Sequence, residues 1–464
     1  MNVFGDEDNT AANVPLEREI GFKKIPYCSP ASIFFKVAAR HDYAFLLESR
    51  TGLGNTAQYS YVGFDPAIVV RVKDGIATTN YRQEHVQDPL DAIKRLICCK
   101  QHAQHTYGYL GGAVGYISYD AVRSWEDIPQ TASDDLDFPD LEMGIYNDGI
   151  VCDHVRHEAF YFHIDENRYE ELSNLLSRPC EIGDFSYARP RPSVAKKVYE
   201  SMVQRTKRYI TAGDVFQAVL SKRYGFAFTG DLAPVYLALR NMNPSPYMFF
   251  LKMRNRTVMG TSPEALVKVV DDRVETFPIA GSRPVTGDPQ RDAMLTNELL
   301  SDPKEVAEHV MLVDLARNDV GRIANPGTVN VSAFMEVQRY SHVQHIVSQV
   351  TGQLGRHADC FDVLRAAFPA GTVTGAPKIR AMEIIEELEP VRRGPYAGAV
   401  GYFSYNGNMD FAITIRSLFA QGGTCYLQTG SGIVADSVPE KEWMETEFKG
   451  RALLKALEDT GDGF

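Results

Sequence analysis

The sequence has few of the features that mark secreted, zinc-ribbon or membrane proteins. Its 464 residues include two tryptophans and seven cysteines, and no two cysteines have the Cys-x-x-Cys spacing. An odd number of scattered cysteines indicates reduced thiols in a cytoplasmic protein rather than a disulfide framework or a zinc site. The first ten residues are acidic and polar, unlike a signal peptide. No apolar run reaches the roughly 20 residues that span a bilayer, so no membrane partner is expected.

Basic residues are fewer than acidic ones. The chain has 60 acidic and 48 basic residues, for a net charge of −12. Without a positive surface, non-specific binding to nucleic acid is disfavoured. A few local arginines and lysines would still suffice for a small anionic substrate. The apolar fraction of 44% and the charged fraction of 23% are ordinary for a packed globular protein.

Short β-like runs dominate the first part of the chain after a polar leader at residues 1–20, and long helices interleave with strands later. Because strands adjacent in sequence tend to pair antiparallel, the pattern favours an α+β fold over a doubly wound sheet. We predict two halves, 1–190 and 191–464, packed on each other and joined through Arg189–Pro192. Helices are predicted over 89–100, 195–212, 303–317, 361–368, 377–388 and 439–457, and one continuous strand over 411–420.

One segment of the chain is nearly repeated. Gly112–Tyr119 and Gly398–Tyr405 match at seven of eight positions. We therefore predict duplicated halves, with antiparallel sheets packed as a sandwich, helices around them, and the repeated strands in equivalent places of two sheets. Leu110 stands where the second copy has Tyr396, so the first copy lacks any function of that tyrosine.

Two predicted helices each carry a pair of glutamates three residues apart. Glu305 and Glu308 share one face of the first helix, and Glu442 and Glu445 share one face of the second. Taken alone, each pair is typical of a solvated helix face. If the two helices converged, four repelling carboxylates would call for a hard divalent cation such as Mg²⁺. Spacing alone does not decide between these interpretations.

The segment Phe368–Lys378 is rich in small residues and precedes a helix. Its backbone N–H groups and hydroxyls could bind an anion, although it lacks the spacing of a P-loop. A simple turn and helix cap is an equally good interpretation. The short glycine loop at residues 430–434 is a similar but weaker signal.

Together, four long motifs in one order resemble the chorismate-utilising enzymes, most densely over residues 195–457. The motifs are Pro278–Pro284, Met311–Asp319, Gly371–Lys378 and Gly430–Glu440.

This resemblance implies roles for residues at matching positions. Glu308 and Glu445 match direct Mg²⁺ ligands, and Glu305 and Glu442 match carboxylates that hold the waters of the metal. Lys449 matches a lysine near these carboxylates.

The resemblance also implies the acid, base and substrate contacts. Glu264 matches a general acid that protonates the departing C4 hydroxyl of chorismate, and His345 matches an active-site proton-transfer group. The enolpyruvyl carboxylate would be bound by Tyr396 and Arg416. Further substrate contacts match Thr372, Gly430 and Gly432.

Two positions distinguish the branches of this family. Where some branches carry a lysine that attacks C2 or activates water, this chain has Ala280 and Gln217. The resemblance therefore implies external ammonia as the nucleophile and anthranilate as the product. No Gly-x-Cys-x-Gly glutaminase motif is present, so a separate glutamine amidotransferase subunit is expected, in a hetero-oligomer. The aminodeoxychorismate-forming branch remains the alternative enzyme.

Two further segments resemble the tryptophan feedback pocket of this family and would lie between the halves. The residues concerned are Leu47, Glu48, Ser49, Pro246, Tyr247 and Met248. A strand end and a proline-rich turn are the simpler interpretation of each segment alone. A catalytically silent tryptophan-binding regulator of the same fold is the alternative from another functional class.

Overall fold

Most helices of the chain begin at sites that the sequence marks. The computed structural model describes residues 20–50, 58–97, 107–339 and 343–463, so the predicted leader lies outside the described residues except for Ile20. The Asp302 side chain accepts hydrogen bonds from the N–H groups of Lys304 and Glu305, with Pro303 in the first turn. The helices are α1 (Pro30–Ala38), α2 (Pro89–Lys94), α3 (Tyr169–Leu176), α4 (Lys196–Ala212), α5 (Ala233–Met242), α6 (Pro289–Ser301), α7 (Pro303–Gly321), α8 (Cys360–Ala367), α9 (Gly371–Thr374), α10 (Lys378–Leu388) and α11 (Pro439–Thr460).

Most strands have three to seven residues, but one, Gln217–Gly230, has 14. In chain order they are β1 (Gly21–Ile25), β2 (Tyr43–Glu48), β3 (Tyr59–Phe64), β4 (Ile68–Lys73), β5 (Ile76–Thr78), β6 (Gln83–His85), β7 (Gly112–Ile117), β8 (Leu141–Tyr146), β9 (Asp148–Asp153), β10 (Glu158–His163), β11 (Phe185–Tyr187), β12 (Arg191–Pro192), β13 (Gln217–Gly230), β14 (Tyr247–Met253), β15 (Arg256–Ser262), β16 (Ala265–Val270), β17 (Arg273–Thr276), β18 (Ile279–Pro284), β19 (Asn330–Arg339), β20 (Val343–Gln353), β21 (Gly375–Ala376), β22 (Ala399–Ser404), β23 (Met409–Ile413), β24 (Ser417–Gln421), β25 (Thr424–Ile433) and β26 (Asp462–Gly463).

These strands form two large, mainly antiparallel sheets, as the predicted α+β fold requires. One sheet runs β1-β10-β9-β3-β2-β14-β15-β24-β25-β13-β11-β26, with β12 and β21 pairing on β13. The other runs β18-β20-β17-β16-β23-β22-β7-β8-β4-β5-β6, with β19 pairing on β20. Both sheets contain strands from both sides of residue 190.

The side chains of β2 illustrate how the sheets and helices pack. Phe45 lies in a hydrophobic cluster with Val114 and Tyr402 of the other sheet. Its neighbour Leu46 points the opposite way and lies in a second cluster with Phe34 of α1. Because successive side chains of a strand face opposite sides, one strand contributes both to the sandwich core and to the helix layer.

The duplication is confirmed, but the predicted placement of the repeated strands in two sheets is wrong. β7 and β22 pair with each other, antiparallel, with Gly115 opposite Gly401. The strand orders on either side of this pair mirror each other: β8, β4 and β5 on one side correspond to β23, β16 and β17 on the other. Pairing between distant strands is a non-local choice that similarity alone does not encode.

The predicted continuous strand at 411–420 is also wrong. The chain breaks at Arg416, which has a φ of 52° and separates β23 from β24. These strands belong to different sheets. A left-handed residue other than glycine is uncommon, and here it turns the chain from one sheet to the other. The strand pattern gave no sign of this because both sides of the break are equally apolar.

The predicted helices are found near their expected bounds. The helix predicted over 89–100 is shorter than expected: α2 ends at Lys94, residues 95–97 are not helical, and residues 98–100 lie outside the described part of the chain. Cys98 and Cys99 therefore also lie outside it, while the cysteines at 28, 152, 180, 360 and 425 are free thiols. Among the described residues, no helix is long and apolar enough to cross a membrane.

Candidate active site

A cavity of about 460 Å³ opens where the ends of several strands meet α7, α9 and α11. Its walls come from β13, β18, β20 and β25, from the three helices, and from the chain segments before β16, before β22 and after β23. The sequence-predicted catalytic, substrate-binding and metal-binding residues all line it: Glu264, Glu305, Glu308, His345, Thr372, Tyr396, Arg416, Gly430, Gly432, Glu442, Glu445 and Lys449. Segments more than 180 residues apart in sequence thus meet at one cavity.

Glu264 is the most strongly shifted acid in the cavity. It follows Pro263 at the entry to β16, and burial raises the pKa of its carboxyl to about 8, although Thr372 and Lys449 partly oppose the shift. A carboxyl with that pKa is mostly protonated at pH 7, because its charged form is poorly solvated. Glu264 therefore has a proton to donate.

His345 has the opposite character. Its Nδ1 lies 2.7 Å from the Gly281 carbonyl oxygen, which can only accept, so Nδ1 carries the proton and Nε2 of the neutral ring does not. Burial lowers the pKa of the imidazole, and the nearby Arg416 lowers it further. The cavity thus holds a neutral histidine and a protonated carboxyl.

Tyr396 and Arg416 flank the cavity on the segments that precede β22 and follow β23. Tyr396 is buried and Arg416 is half-buried, and Arg416 donates a hydrogen bond of 2.8 Å to the Lys449 carbonyl. Gly430 leaves room for the tyrosine, since a Cβ at that position would lie 2.8 Å from the Tyr396 hydroxyl. A guanidinium and a phenol at one wall suit a carboxylate ligand.

The glutamate pairs face the cavity from two helices. Burial raises the pKa of Glu308, with Glu305 adding to the shift, and burial likewise raises that of Glu442, with Glu445 adding. Repulsion within each pair is what a bound cation would relieve.

The carboxylates do not converge on one point. The described residues contain no group of three or more His, Cys, Asp or Glu side chains that could hold a metal ion. Lys449 Nζ lies 2.6 Å from Glu445 Oε1. Glu442 Oε2 is buried and has no hydrogen-bond partner among the residues described. An orphaned carboxylate oxygen and an all-oxygen donor set fit a hard divalent cation in chemistry, although binding would require these side chains to turn.

The two branch-distinguishing positions also lie on the cavity wall. Ala280 pairs with Ile346, the residue after His345, and presents only a methyl group. Gln217 donates from Nε2 to Glu308 Oε1 at 3.1 Å. Neither residue carries an amine or a base, so the wall at these points offers no internal nucleophile.

A second cavity, of about 530 Å³, lies between the two sheets. The residues predicted for an inhibitor all line it: Leu47, Glu48, Ser49, Pro246, Tyr247 and Met248. β2 and β14 pair here, with Met248 opposite Glu48, which brings the two predicted segments side by side.

Sequence reasoning missed several residues of both cavities. Lys304 and Gln428 line the first cavity, and Lys268, Tyr402 and Asp410 line the second. Tyr402 lies within the repeated segment, so the repeat could have drawn attention to it. The others lie in a helix turn or within strands, where a polar residue has no distinctive local pattern.

Comparison with known proteins agrees with this geometry. A family model described as "chorismate binding enzyme" matches residues 42–455. Anthranilate synthase component 1 of Methanothermobacter thermautotrophicus is 46% identical, with 100% of this chain and 98% of that protein covered. Aminodeoxychorismate synthase component 1 of Bacillus subtilis is 39% identical, over 95% of this chain and 98% of that protein.

A solved structure gives the same answer for the fold. The crystal structure of anthranilate synthase component I from Streptococcus pneumoniae superposes with a TM-score of 0.78 at 36% identity, covering 87% of this chain and 94% of that one. The family match spans nearly the whole chain and includes every strand and helix that lines the first cavity. The chain is a member of the chorismate-binding enzyme family.

Proposed function

We propose that this chain converts chorismate and ammonia to anthranilate, pyruvate and water. The observation that carries the proposal is the pairing of a protonated Glu264 with a cavity wall that holds Ala280 and Gln217 and no nucleophilic side chain at those points. Such a site can expel a hydroxyl but must take its nucleophile from outside.

In the first step ammonia attacks C2 of the ring, the double bonds shift, and the C4 hydroxyl departs with the proton of Glu264 as water. The nitrogen loses one proton, which restores the charge balance. Tyr396 and Arg416 would hold the enolpyruvyl carboxylate during this displacement, and Glu264 is the general acid.

In the second step the ring becomes aromatic. The C2 proton leaves, the bond between C3 and the enolpyruvyl oxygen breaks, and the side chain gains a proton to become pyruvate. The neutral His345 faces the same cavity with Nε2 able to accept a proton. Neutral imidazole is suited to proton transfer near pH 7.

Mg²⁺ is the cofactor we propose, held by Glu308 and Glu445, with Glu305 and Glu442 orienting its waters. When bound, it would neutralise the acidic wall and polarise the ring carboxylate of chorismate. The four glutamates and Lys449 all line the cavity, so the metal and the ring carboxylate would meet at this wall.

Ammonia would come from a glutamine amidotransferase subunit, the partner that a component 1 implies. Free ammonia supplied at high concentration should bypass that partner.

Feedback inhibition by tryptophan at the second cavity is the last part of the proposal. Three strands line or lead to both cavities. β16 carries Lys268 in the second cavity and follows Glu264 of the first. Likewise β22 carries Tyr402 in the second cavity and follows Tyr396 of the first. β23 carries Asp410 in the second cavity and precedes Arg416 of the first. A ligand that prefers one position of these strands would therefore bias the active site.

The test incubates the purified chain with chorismate, Mg²⁺ and ammonium at mildly alkaline pH, and identifies products by fluorescence and mass. Anthranilate with equimolar pyruvate is expected. Aminodeoxychorismate instead would assign the chain to the other branch, which the Bacillus subtilis relative represents. No chorismate consumption would favour a silent tryptophan-binding regulator.

The metal is tested by Glu308→Gln, which keeps the shape but removes the charge. We expect turnover to fall by at least about 100-fold even with saturating Mg²⁺. Glu387→Gln, at an exposed glutamate that does not line the cavity, is the control. Substantial residual turnover in Glu308→Gln would remove Glu308 from the metal site.

A further inference from the structure

A buried arginine lies behind the wall of the active-site cavity. The side chain of Arg393 is 1% exposed and forms a forked pair with Glu389: Nη2 to Oε1 is 2.7 Å and Nε to Oε2 is 3.0 Å. A buried ion pair often adds less stability than apolar residues of the same size, because both charges are desolvated. Such a pair is better suited to fixing the positions of the groups that it contacts.

The remaining donors of Arg393 bind two walls of the cavity. Nη1 donates to the Val373 carbonyl at 2.7 Å, and Nη2 donates to the Val219 carbonyl at 2.7 Å. Both valines line the cavity, and Val373 directly follows Thr372. One guanidinium thus ties β13 to the α9 turn.

Glu389 extends the connection to a third wall. Its Oε1 accepts hydrogen bonds from the N–H and the hydroxyl of Ser221, at 2.7 and 2.9 Å. Gln428 of β25, which lines the cavity, donates to the same Ser221 hydroxyl at 2.8 Å.

Two aromatic rings enclose the guanidinium. Its carbon lies 4.8 Å from the centroid of the Tyr119 ring and 5.8 Å from that of the Tyr396 ring. Cation–π attraction at these distances favours fixed ring positions. Tyr119 ends the first repeated segment, so the N-terminal half also supports this part of the cavity.

We propose that Arg393 is a positioning residue that holds Tyr396 and the turn carrying Thr372 in the geometry that binds chorismate. This inference rests on the proposed function. Arginine suits the role because its planar fork offers five donors in fixed directions. A lysine would keep the charge but could not reach both carbonyls and Glu389 in the same plane.

The test compares Arg393→Lys with Arg123→Lys. Arg123 is a matched control: its side chain is 11% exposed, it pairs with Asp120 and Glu386, and it donates to the Pro129 carbonyl, but these partners do not line the cavity. KM and kcat are measured for chorismate and for ammonium, together with the Tm of each variant.

Arg393→Lys should raise the KM for chorismate by about tenfold or more while leaving the KM for ammonium unchanged. Arg123→Lys should lower Tm to a similar extent but change both KM values by less than about twofold. An equal rise of the chorismate KM in both variants, or no rise in Arg393→Lys, would overturn the positioning role.

A second variant covers the case in which Arg393→Lys does not fold. Glu389→Gln keeps the shape of the partner but weakens its hold on Arg393, and it should raise the chorismate KM by a smaller factor; an unchanged KM would also overturn the role. The wild-type reaction is measured first. If the wild type consumes no chorismate, the proposed function itself fails, whereas normal wild-type turnover with unaffected variants defeats only the role of Arg393.

Discussion

Glu264 and Ala67 occupy equivalent places in the two halves of the molecule. Each lies four residues after a glycine that faces a phenylalanine of the adjacent strand, Gly63 opposite Phe45 and Gly260 opposite Phe249. When the repeated strands and their neighbours are aligned in the same way, Leu110 is equivalent to Tyr396 and Asp148 is equivalent to Arg416. The first half has kept the strands but has none of the three reactive side chains, which shows that the duplicated sheet frame does not itself require them.

The region between the sheets differs between the halves as well. In each half, three residues that lie opposite one another on neighbouring strands form a row, here called a rung. The first rung crosses β7, β8 and β4 and consists of Tyr116, Glu142 and Arg71. The second rung crosses β22, β23 and β16 and consists of Tyr402, Asp410 and Lys268. At the first rung Glu142 is fully buried and accepts hydrogen bonds from Arg256 Nε at 2.7 Å and Arg71 Nε at 2.8 Å, so these side chains occupy the space there. At the second rung Lys268 Nζ is 3.7 Å from Asp410, and the space is the second cavity.

One exchange explains much of this difference. Arg256 and Tyr59 are equivalent, each four residues before the paired glycine of its strand. The arginine reaches across to the carboxylate of the other sheet, whereas the tyrosine remains at the cavity wall. The molecule therefore contains two equivalent regions between the sheets, one occupied by side chains and one open as the second cavity. The comparison of the two halves predicts four mutational outcomes.

The largest expected effect is at the reactive position that only the second half has. Glu264→Gln removes the acid and leaves this position without one, like the equivalent Ala67 of the first half. We expect kcat to fall by about 10²- to 10⁴-fold. Glu275→Gln, on β17 and outside the cavity, should leave kcat unchanged.

The pH dependence gives a second reading of the same residue. The pKa of Glu264 is raised to about 8, so its acid form is present below that pH and is lost as the pH rises through it. The rate divided by the concentration of neutral ammonia should therefore fall above about pH 8. If this normalised rate stays constant above about pH 8, the proton for the departing hydroxyl comes from a group other than Glu264.

The next largest effect concerns stability. Glu142→Gln leaves two guanidinium groups without their shared carboxylate, and we expect the free energy of unfolding to fall by about 3 kcal/mol. Asp410→Asn should cost less than about 1 kcal/mol, because a distant lysine is its charged partner and burial raises the pKa of Asp410. Urea denaturation with unchanged m-values measures both. Equal losses would mean that the two rungs are equally important to folding.

Local sequence predicted much of this molecule for identifiable reasons. Capping residues such as Asp302 and Pro303 mark helix starts, and linear motifs identified the residues of the first cavity. The pairing of the two repeated strands was missed because partner choice depends on the whole sheet. Arg393 was missed because it follows Arg392 directly, and nothing in an arginine pair tells which side chain is buried.

The third mutation tests whether the second cavity can be filled in the way that Arg256 fills the first rung. Tyr59→Arg should place a guanidinium near Asp410, as Arg256 lies near Glu142, and so occupy the second cavity. We expect the tryptophan concentration for half-inhibition to rise by about tenfold or more, equivalent to about 1.4 kcal/mol of binding energy. Tyr81→Arg, at a highly exposed tyrosine, is the matched control. Unaltered inhibition with Tyr59→Arg would place tryptophan elsewhere.

The smallest effect is expected at Ser49, whose equivalent in the second half is Met253, since each lies four residues after the phenylalanine that faces the paired glycine. The Ser49 hydroxyl is buried at the second cavity and has no hydrogen-bond partner among the described residues. Because a buried hydroxyl of this kind gains about 1 kcal/mol from a ligand partner, Ser49→Ala should weaken tryptophan inhibition by roughly fivefold and leave the uninhibited rate unchanged. Ser245→Ala removes a nearby hydroxyl that bonds the Asn243 carbonyl and does not line the cavity, so it should alter neither quantity. If both variants weaken inhibition equally, the effect comes from the shape of the β14 turn and the Ser49 hydroxyl makes no contact with tryptophan.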